Sequence, residues 1–176
     1  MASIQSPVNP VIAAVDLQPN SLQVLLRARA LASEKQLPLV VLHVAHESAE
    51  SAGFYRRHVR RNDTTPIRDI AEELLHELVE DVLGTTGNGS EEEGIRTLVV
   101  EGIPGSRIVE MAEREDASSI VMNCCGLQGF ARWWHGSVSA YVETHAGCEV
   151  VVLTERAESA PIDVGKQQAV PLHASH

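Results

Sequence analysis

Short apolar runs alternate with longer segments of helical periodicity along this chain. The first run, Val11–Val15, is apolar throughout and ends at Asp16, which is typical of a strand covered on both faces. Similar runs follow at 39–44, 95–100, 119–122 and 149–153. The pattern therefore predicts five strands.

Four helices are predicted between these strands. Ser21 is placed to cap the first, whose apolar positions are Leu22, Leu25, Ala28 and Ala32 with Leu26 beside them. Thr65-Pro66 opens the second, and Gly84 stops it. Its stripe consists of Ile67, Ile70, Ala71, Leu74, Leu75, Leu78, Val79 and Val82.

The remaining helices follow glycine-containing segments. Residues 102–106 open the third helix. Residues 123–135 are predicted to form a loop, after which Gly136-Ser137 opens the fourth helix and Gly147 stops it. Strands alternating with helices predict an α/β fold. We expect one domain with a Rossmann-like, doubly wound, five-stranded parallel sheet in the order 3-2-1-4-5, an α/β/α sandwich.

Composition narrows the function. The chain has 176 residues and 19.1 kDa, which suits a single domain at 1–153 followed by an aperiodic, loose tail at 154–176. Lys and Arg number 14 against 24 Asp and Glu, so the net charge of −10 disfavours a role in coating DNA or RNA. A small phosphate ligand remains compatible with that charge, because backbone donors can hold it.

Targeting and redox signals are absent from the sequence. No apolar run reaches the roughly 18–20 residues of a membrane span, and the first ten residues lack the pattern of a secretory signal. Three cysteines, two of them adjacent, do not suggest a disulfide framework. We therefore expect a reduced, cytoplasmic protein.

Candidate chemistry is concentrated after the fourth strand. Gly126 and Gly136 are separated by nine residues, and Ser137 follows at a predicted helix start. Phosphate binding needs close backbone approach, which glycine allows, and free N–H donors, which a helix start provides. The alternative is that the glycines serve turns and Ser137 is only a cap. Ligands of such sheets bind beyond the carboxyl ends of the strands where the strand order reverses, which adds Asp16 to the candidates.

Several of these segments together resemble the universal stress protein family. They are Ala13-Ala14-Val15-Asp16, Leu42-His43-Val44, the segment from Gly102 to Ile108, and Ile120-Val121-Met122 followed by Gly126-x9-Gly136-Ser137-Val138. The last is similar to the family's ATP-binding signature, Gly-x2-Gly-x9-Gly-Ser/Thr, with Asn123 in place of the first glycine.

The resemblance implies a ligand and a partner. ATP would bind with Ala14, Asp16 and Val44 around its base, and with Met122, Gly126, Gly136, Ser137 and Val138 at its ribose and phosphates. The phosphates would carry Mg²⁺ or Mn²⁺. The resemblance also implies a homodimer paired through the last strand, from Glu149 to Leu153.

Two departures from the family pattern leave a second function open. Asparagine at position 123 tolerates left-handed backbone angles, but in the pose that the resemblance implies its side chain would crowd the ribose. Leu17 follows Asp16 where many ATP-binding members have glycine. The first hypothesis is a nucleotide-dependent regulatory protein, and the second is a nucleotide-independent interaction module with an unidentified protein partner. An enzyme such as a nucleotidylyl transferase or pyrophosphatase is a third. We identify no nucleophile–base pair and no Walker-type lysine, so no catalytic residue is assigned and any ATP hydrolysis should be slow.

Other conspicuous residues have ordinary interpretations. Cys124-Cys125 are interpreted as loop residues rather than redox sensors, and Trp133 and Trp134 as packing residues rather than partner anchors. The basic cluster from Arg56 to Arg61 is solvated or clamps phosphates. The eight histidines lack metal-ligand spacing, so no metal ligand is assigned.

Overall fold

A computed structural model describes residues 9–46, 55, 65–84, 94–124 and 132–154, and for 132–137 it describes the backbone alone. Five strands and four helices alternate along these residues. The strands are β1 (Val11–Val15), β2 (Leu39–Ala45), β3 (Ile95–Glu101), β4 (Ser119–Cys124) and β5 (Glu149–Thr154). The helices are α1 (Ser21–Lys35), α2 (Ile67–Leu83), α3 (Pro104–Arg114) and α4 (Arg132–His145).

The five strands form one parallel sheet in the order β3-β2-β1-β4-β5. This confirms the predicted fold class and strand order. β1 lies at the centre, so the chain winds outward through β2 and β3 on one side and through β4 and β5 on the other. The point where the strand order reverses therefore falls between β1 and β4.

Each face of the sheet has its own apolar core. Odd-numbered residues of β1 and β2 pack with α1 and α2, as Val11, Val41 and Leu75 illustrate. Even-numbered residues pack with α3 and α4, as Ile12, Leu42 and Val142 illustrate. Successive strand side chains point to opposite faces, so an apolar run without alternation is what a sheet covered on both sides requires.

The predicted apolar stripe of α2 is confirmed. Ile70, Ala71, Leu75 and Val79 are buried, and the other four members are partly buried against the same core. Gly84 ends the helix in a left-handed conformation at φ 68°, with its N–H donating to the Glu80 carbonyl. A non-glycine residue would be strained there, which explains the predicted stop.

The first helix differs from its prediction. Asn20 occupies the N-cap position and Ser21 is the first helical residue. Leu22 and Leu26 are 41% and 46% exposed. The buried positions are Ser21, Val24, Leu25, Ala28, Leu31 and Ala32. Val24 and Leu31 fit the same helical period as the predicted residues, so the sequence allows either of two apolar faces of α1 to be buried. Packing against β1 and β4 buries the face that carries Val24 and Leu31.

Two glycines accommodate close contacts at the start of α3. Gly102 has φ 136°, and a Cβ there would lie 2.9 Å from Nε of Arg107. That side chain bonds the Glu101 carbonyl. A Cβ on Gly105 would lie 3.0 Å from Cδ1 of Tyr141 in α4. Gly102 therefore serves the turn before α3, and Gly105 allows α3 to pack closely on α4.

Polar side chains connect three elements at the amino-terminal ends of the strands. Nζ of Lys35 lies 2.8 Å from the Ser119 hydroxyl and 2.9 Å from a carboxylate oxygen of Glu149. These contacts join α1 to β4 and to the edge strand β5. Within the described part of the chain, no helix is both long and apolar enough to cross a membrane.

Candidate functional site

The β1–β4 ladder ends before its neighbouring ladders at the carboxyl end of the sheet. β1 pairs with β4 as far as Ala14 and Met122, whereas its pairing with β2 continues to Val15 and His43. β4 continues beside β5 to Cys124. Open parallel sheets bind ligands in the crevice beyond the strand ends where the strand order reverses, and here that place lies beyond the ends of β1 and β4.

Asp16 is held in the turn that leaves β1. Its Oδ1 atom accepts a hydrogen bond from the Ser21 hydroxyl at 2.9 Å and one from the Gln18 backbone N–H at 3.1 Å. Asp16 is partly buried. Asp16 therefore organises the entry into α1, and these two hydrogen bonds fix its carboxylate at the end of β1, beside the crevice.

Leu17 adopts a left-handed backbone conformation, with φ 59°. Its side chain is partly buried and packs against the core on the α1 and α2 face. Leucine is disfavoured in this region of backbone space, which glycine enters without penalty. The substitution noted in the sequence thus lies where the backbone itself favours glycine.

Four of the predicted site residues share one face of the sheet. Ala14, Val44 and Met122 belong to the buried cluster on the α3 and α4 side, and Val138 packs against it. Ala14 and Met122 are direct register partners. Together these side chains form an apolar floor below the crevice, and Asp16 lies two residues beyond Ala14.

The fourth strand is longer than predicted. Asn123 and Cys124 continue β4 rather than beginning a loop, because β5 provides register partners in Leu153 and Thr154. Both residues are partly buried, and the Ser139 hydroxyl donates to Sγ of Cys124 across 3.8 Å. The interpretation of Cys124 as a loop residue is therefore wrong. Asn123 lies beside the crevice.

The fourth helix begins earlier than predicted. α4 starts at Arg132, so Gly136 and Ser137 lie in its second turn rather than at its first residue. A helix leaves the N–H groups of its first turn without intrahelical acceptors, and Gly136 lies beyond that turn. The helix start predicted at Gly136 is therefore wrong by four residues, because glycine and serine within this sequence do not interrupt the helix.

Several predicted features lie outside the described residues. These are Cys125, Gly126, the cluster from Arg56 to Arg61, residues 155–176 of the predicted tail, and the side chains of Trp133, Trp134 and Ser137. Their proposed roles therefore remain predictions. Among the residues that are described, no group of three or more His, Cys, Asp or Glu side chains is arranged to hold a metal ion.

Sequence reasoning missed a buried polar pair behind the site. Nδ1 of His43 lies 2.8 Å from the Val15 carbonyl oxygen, and Nε2 lies 2.8 Å from the Tyr55 hydroxyl. Burial is the largest influence on His43 and lowers its pKa, against smaller opposing effects of the Val15 carbonyl and Asp16. The position of His43 near the end of β2 was visible in the sequence, but nothing local identified Tyr55 as its partner.

Comparison with protein families and known proteins points to one group. Residues 7–154 match the model of the universal stress protein family. Universal stress protein MJ0531 of Methanocaldococcus jannaschii is 37% identical over 87 residues, which are 48% of this chain and about half, 51%, of that protein. Universal stress protein Sll1388 of Synechocystis is 26% identical over 160 residues, covering 81% of this chain and 96% of that protein.

Solved structures share the fold. A universal stress protein in complex with cAMP superposes with a TM-score of 0.58 at 21% identity, covering 84% of this chain and 98% of the other. A universal stress protein from Archaeoglobus fulgidus in complex with dAMP gives a TM-score of 0.53 at 21% identity, covering 84% and 98%. At this level of identity the likeness establishes the architecture.

Proposed function

Because the chain belongs to the universal stress protein family, and from the geometry of the crevice, we propose that it is a regulatory protein that binds the adenine nucleotide ATP. The observation that carries the proposal is the early end of the β1–β4 ladder at Ala14 and Met122. The proposed binding region lies beyond that end, at the reversal of strand order, where apolar side chains and a fixed carboxylate meet.

The proposed pose divides the nucleotide between two regions. The adenosine lies over Ala14, Val44 and Met122, with Asp16 near the base or ribose and Asn123 beside it. The phosphates lie toward the amino end of α4, where first-turn N–H groups and the helix dipole favour an anion. Val138 packs below this region.

The phosphate contacts proposed for Gly126, Gly136 and Ser137 derive from the signature. Ser137 lies in the second turn of α4, so its hydroxyl rather than its N–H is the proposed donor. Mg²⁺ or Mn²⁺ would be carried by the phosphates themselves. Known structures of universal stress proteins with cAMP and dAMP support the binding of an adenine nucleotide in general, rather than of ATP in particular.

Pairing through β5 is the proposed route to a homodimer. β5 is an edge strand, and its apolar residues Val150, Val152 and Leu153 are only partly buried in the single chain. An apolar edge strand invites pairing with another strand. A monomeric mass at tens of micromolar would contradict this assignment.

The experiment begins with the protein as purified. We would denature it, identify released small molecules by mass spectrometry, and then titrate the folded protein with Mg-ATP by calorimetry. Co-purified ATP, or micromolar binding lost in Gly136→Val, supports the proposal. Gly147→Val is the matched control, because Gly147 follows α4 at its other end and a Cβ there has no atom within 4 Å.

The second candidate function is a nucleotide-independent interaction module. The observation that favours it is Leu17, which holds a branched side chain in a left-handed turn beside Asp16. Absence of both co-purified nucleotide and a titration signal would favour this alternative. Multiple turnover of ATP would instead contradict the proposed regulatory role and support an enzyme.

A further inference from the structure

Tyr55 and His43 lie directly behind the candidate site, on the opposite side of the sheet from its apolar floor. We propose that this pair fixes the turn that carries Asp16 and so sets the affinity for adenosine-containing ligands. The inference rests on the proposed nucleotide-binding function and assigns two positioning residues to it.

The hydrogen bonds of the pair have only one consistent arrangement for a neutral imidazole. A carbonyl oxygen can only accept, so Nδ1 of His43 carries the proton that is donated to Val15. Nε2 is then an acceptor, and the Tyr55 hydroxyl must donate to it. Tyr55 also makes a hydrogen bond with the backbone of His46. The direction of donation is therefore set from Tyr55 through His43 to the end of β1.

The end of this chain of hydrogen bonds is the peptide group that precedes Asp16. Val15 is the last residue of β1, and Leu17 turns the chain in a left-handed conformation two residues later. Orienting the Val15 carbonyl orients the peptide plane shared with Asp16, since that plane is rigid. His43 therefore acts on the carboxylate through the backbone rather than by touching a ligand.

Because His43 and Tyr55 are both buried, the hydrogen bonds that orient the Val15 carbonyl are difficult to replace. His43 is 4% exposed and Tyr55 is 5% exposed, so water cannot replace a lost hydrogen bond without rearrangement. A buried polar group deprived of its partner costs more than the bond itself contributes. Removing the Tyr55 hydroxyl leaves Nε2 of His43 without that donor. The rearrangement that follows is easiest at the less buried end of this series of hydrogen bonds, in the Asp16 turn.

The first test compares Tyr55→Phe with the wild-type protein. Calorimetric titrations with Mg-ATP and with adenosine should both weaken by a similar factor, on the order of 3- to 10-fold. The effect should disappear when Asp16→Asn is already present, because the pair acts through Asp16. A purely structural role would give the same loss with and without Asp16→Asn.

The second test separates the two ring nitrogens. His43→Asn places an amide donor toward the Val15 carbonyl, whereas His43→Ala removes it, so the first should bind adenosine more tightly. Ser119→Ala controls for lost stability. Ser119 is fully buried at the amino-terminal end of β4, far from the candidate site along the strand, so this variant should leave the affinity for adenosine unchanged.

The outcomes are distinct. Unchanged affinity in Tyr55→Phe, a loss that persists beside Asp16→Asn, or equal binding by His43→Asn and His43→Ala overturns the positioning role while nucleotide binding stands. A wild-type protein that binds neither Mg-ATP nor adenosine overturns both proposals.

Discussion

The hydroxyl of Ser21 donates to Oδ1 of Asp16 across 2.9 Å, which ties the first residue of α1 to the turn that leaves β1. Ser21 is fully buried. Hydrogen bonds to a charged acceptor contribute more than neutral ones. The start of this helix is therefore stabilised by a residue outside it rather than by its N-cap, whose side chain makes no capping hydrogen bond.

Replacing Ser21 with alanine should lower the free energy of unfolding by about 1–2 kcal/mol, because the Asp16 carboxylate loses a buried donor. Urea denaturation at pH 7.5 measures the change. Ser33→Ala is the control, since Ser33 is exposed on the same helix and its replacement should stay within about 0.5 kcal/mol. Equal losses in the two variants would contradict the role given to the Ser21 hydroxyl.

Replacing Gly105 with alanine should destabilise the protein by about 1 kcal/mol, although alanine is the better helix former. The new Cβ would lie 3.0, 3.2 and 3.3 Å from Cδ1, Cγ and Cβ of Tyr141. Rotation of the ring cannot relieve the contact with Cβ, so α3 and α4 must move apart. Thermal unfolding provides the measurement.

Gly147→Ala is the matched control for that variant. A Cβ at Gly147 meets no atom within 4 Å, and the stability should be unchanged or slightly higher. A stabilised Gly105→Ala protein would show that the α3–α4 contact adapts at no net cost.

Replacing Gln36 with glycine should raise the free energy of unfolding by about 1 kcal/mol. Gln36 ends α1 at φ 55° and ψ 43°, and its side chain is exposed, so glycine relieves strain and loses little packing. Gln23→Gly makes the same chemical change at an exposed position inside the helix, where it should cost about 1 kcal/mol. Opposite signs in paired urea titrations are the expected result.

The buried histidine predicts how stability depends on pH. Burial lowers the pKa of His43 in the folded protein, so below about pH 6.5 the unfolded chain binds a proton that the folded chain resists. This contribution is complete above the unfolded pKa and is lost as the pH falls toward the lowered folded pKa. Unfolding free energies measured from pH 8 to 5 should decline more steeply in the wild-type protein than in His43→Asn. Parallel declines would contradict a buried, neutral His43.

The sheet was predictable because apolar runs covered on both faces have few other interpretations. Local sequence patterns were less informative where tertiary contacts determine the length of a strand or the buried face of a helix. β4 extends to Cys124 because β5 pairs with it, and α1 buries Val24 rather than Leu22 because the sheet selects that face. Similarly, His43 is close to Val15 through strand pairing, whereas its contact with Tyr55 depends on a segment without periodicity.

The central place of β1 has a consequence for synthesis at the ribosome. β1 and its neighbour β2 are separated by only 23 residues, but its other partner, β4, begins at Ser119, more than 100 residues later in the chain. During translation one edge of the most apolar strand therefore has no native partner until most of the protein has emerged. An unpaired apolar edge is a template for intermolecular pairing. The same edge that opens into the candidate site in the finished protein is thus the part of the nascent chain most exposed to aggregation.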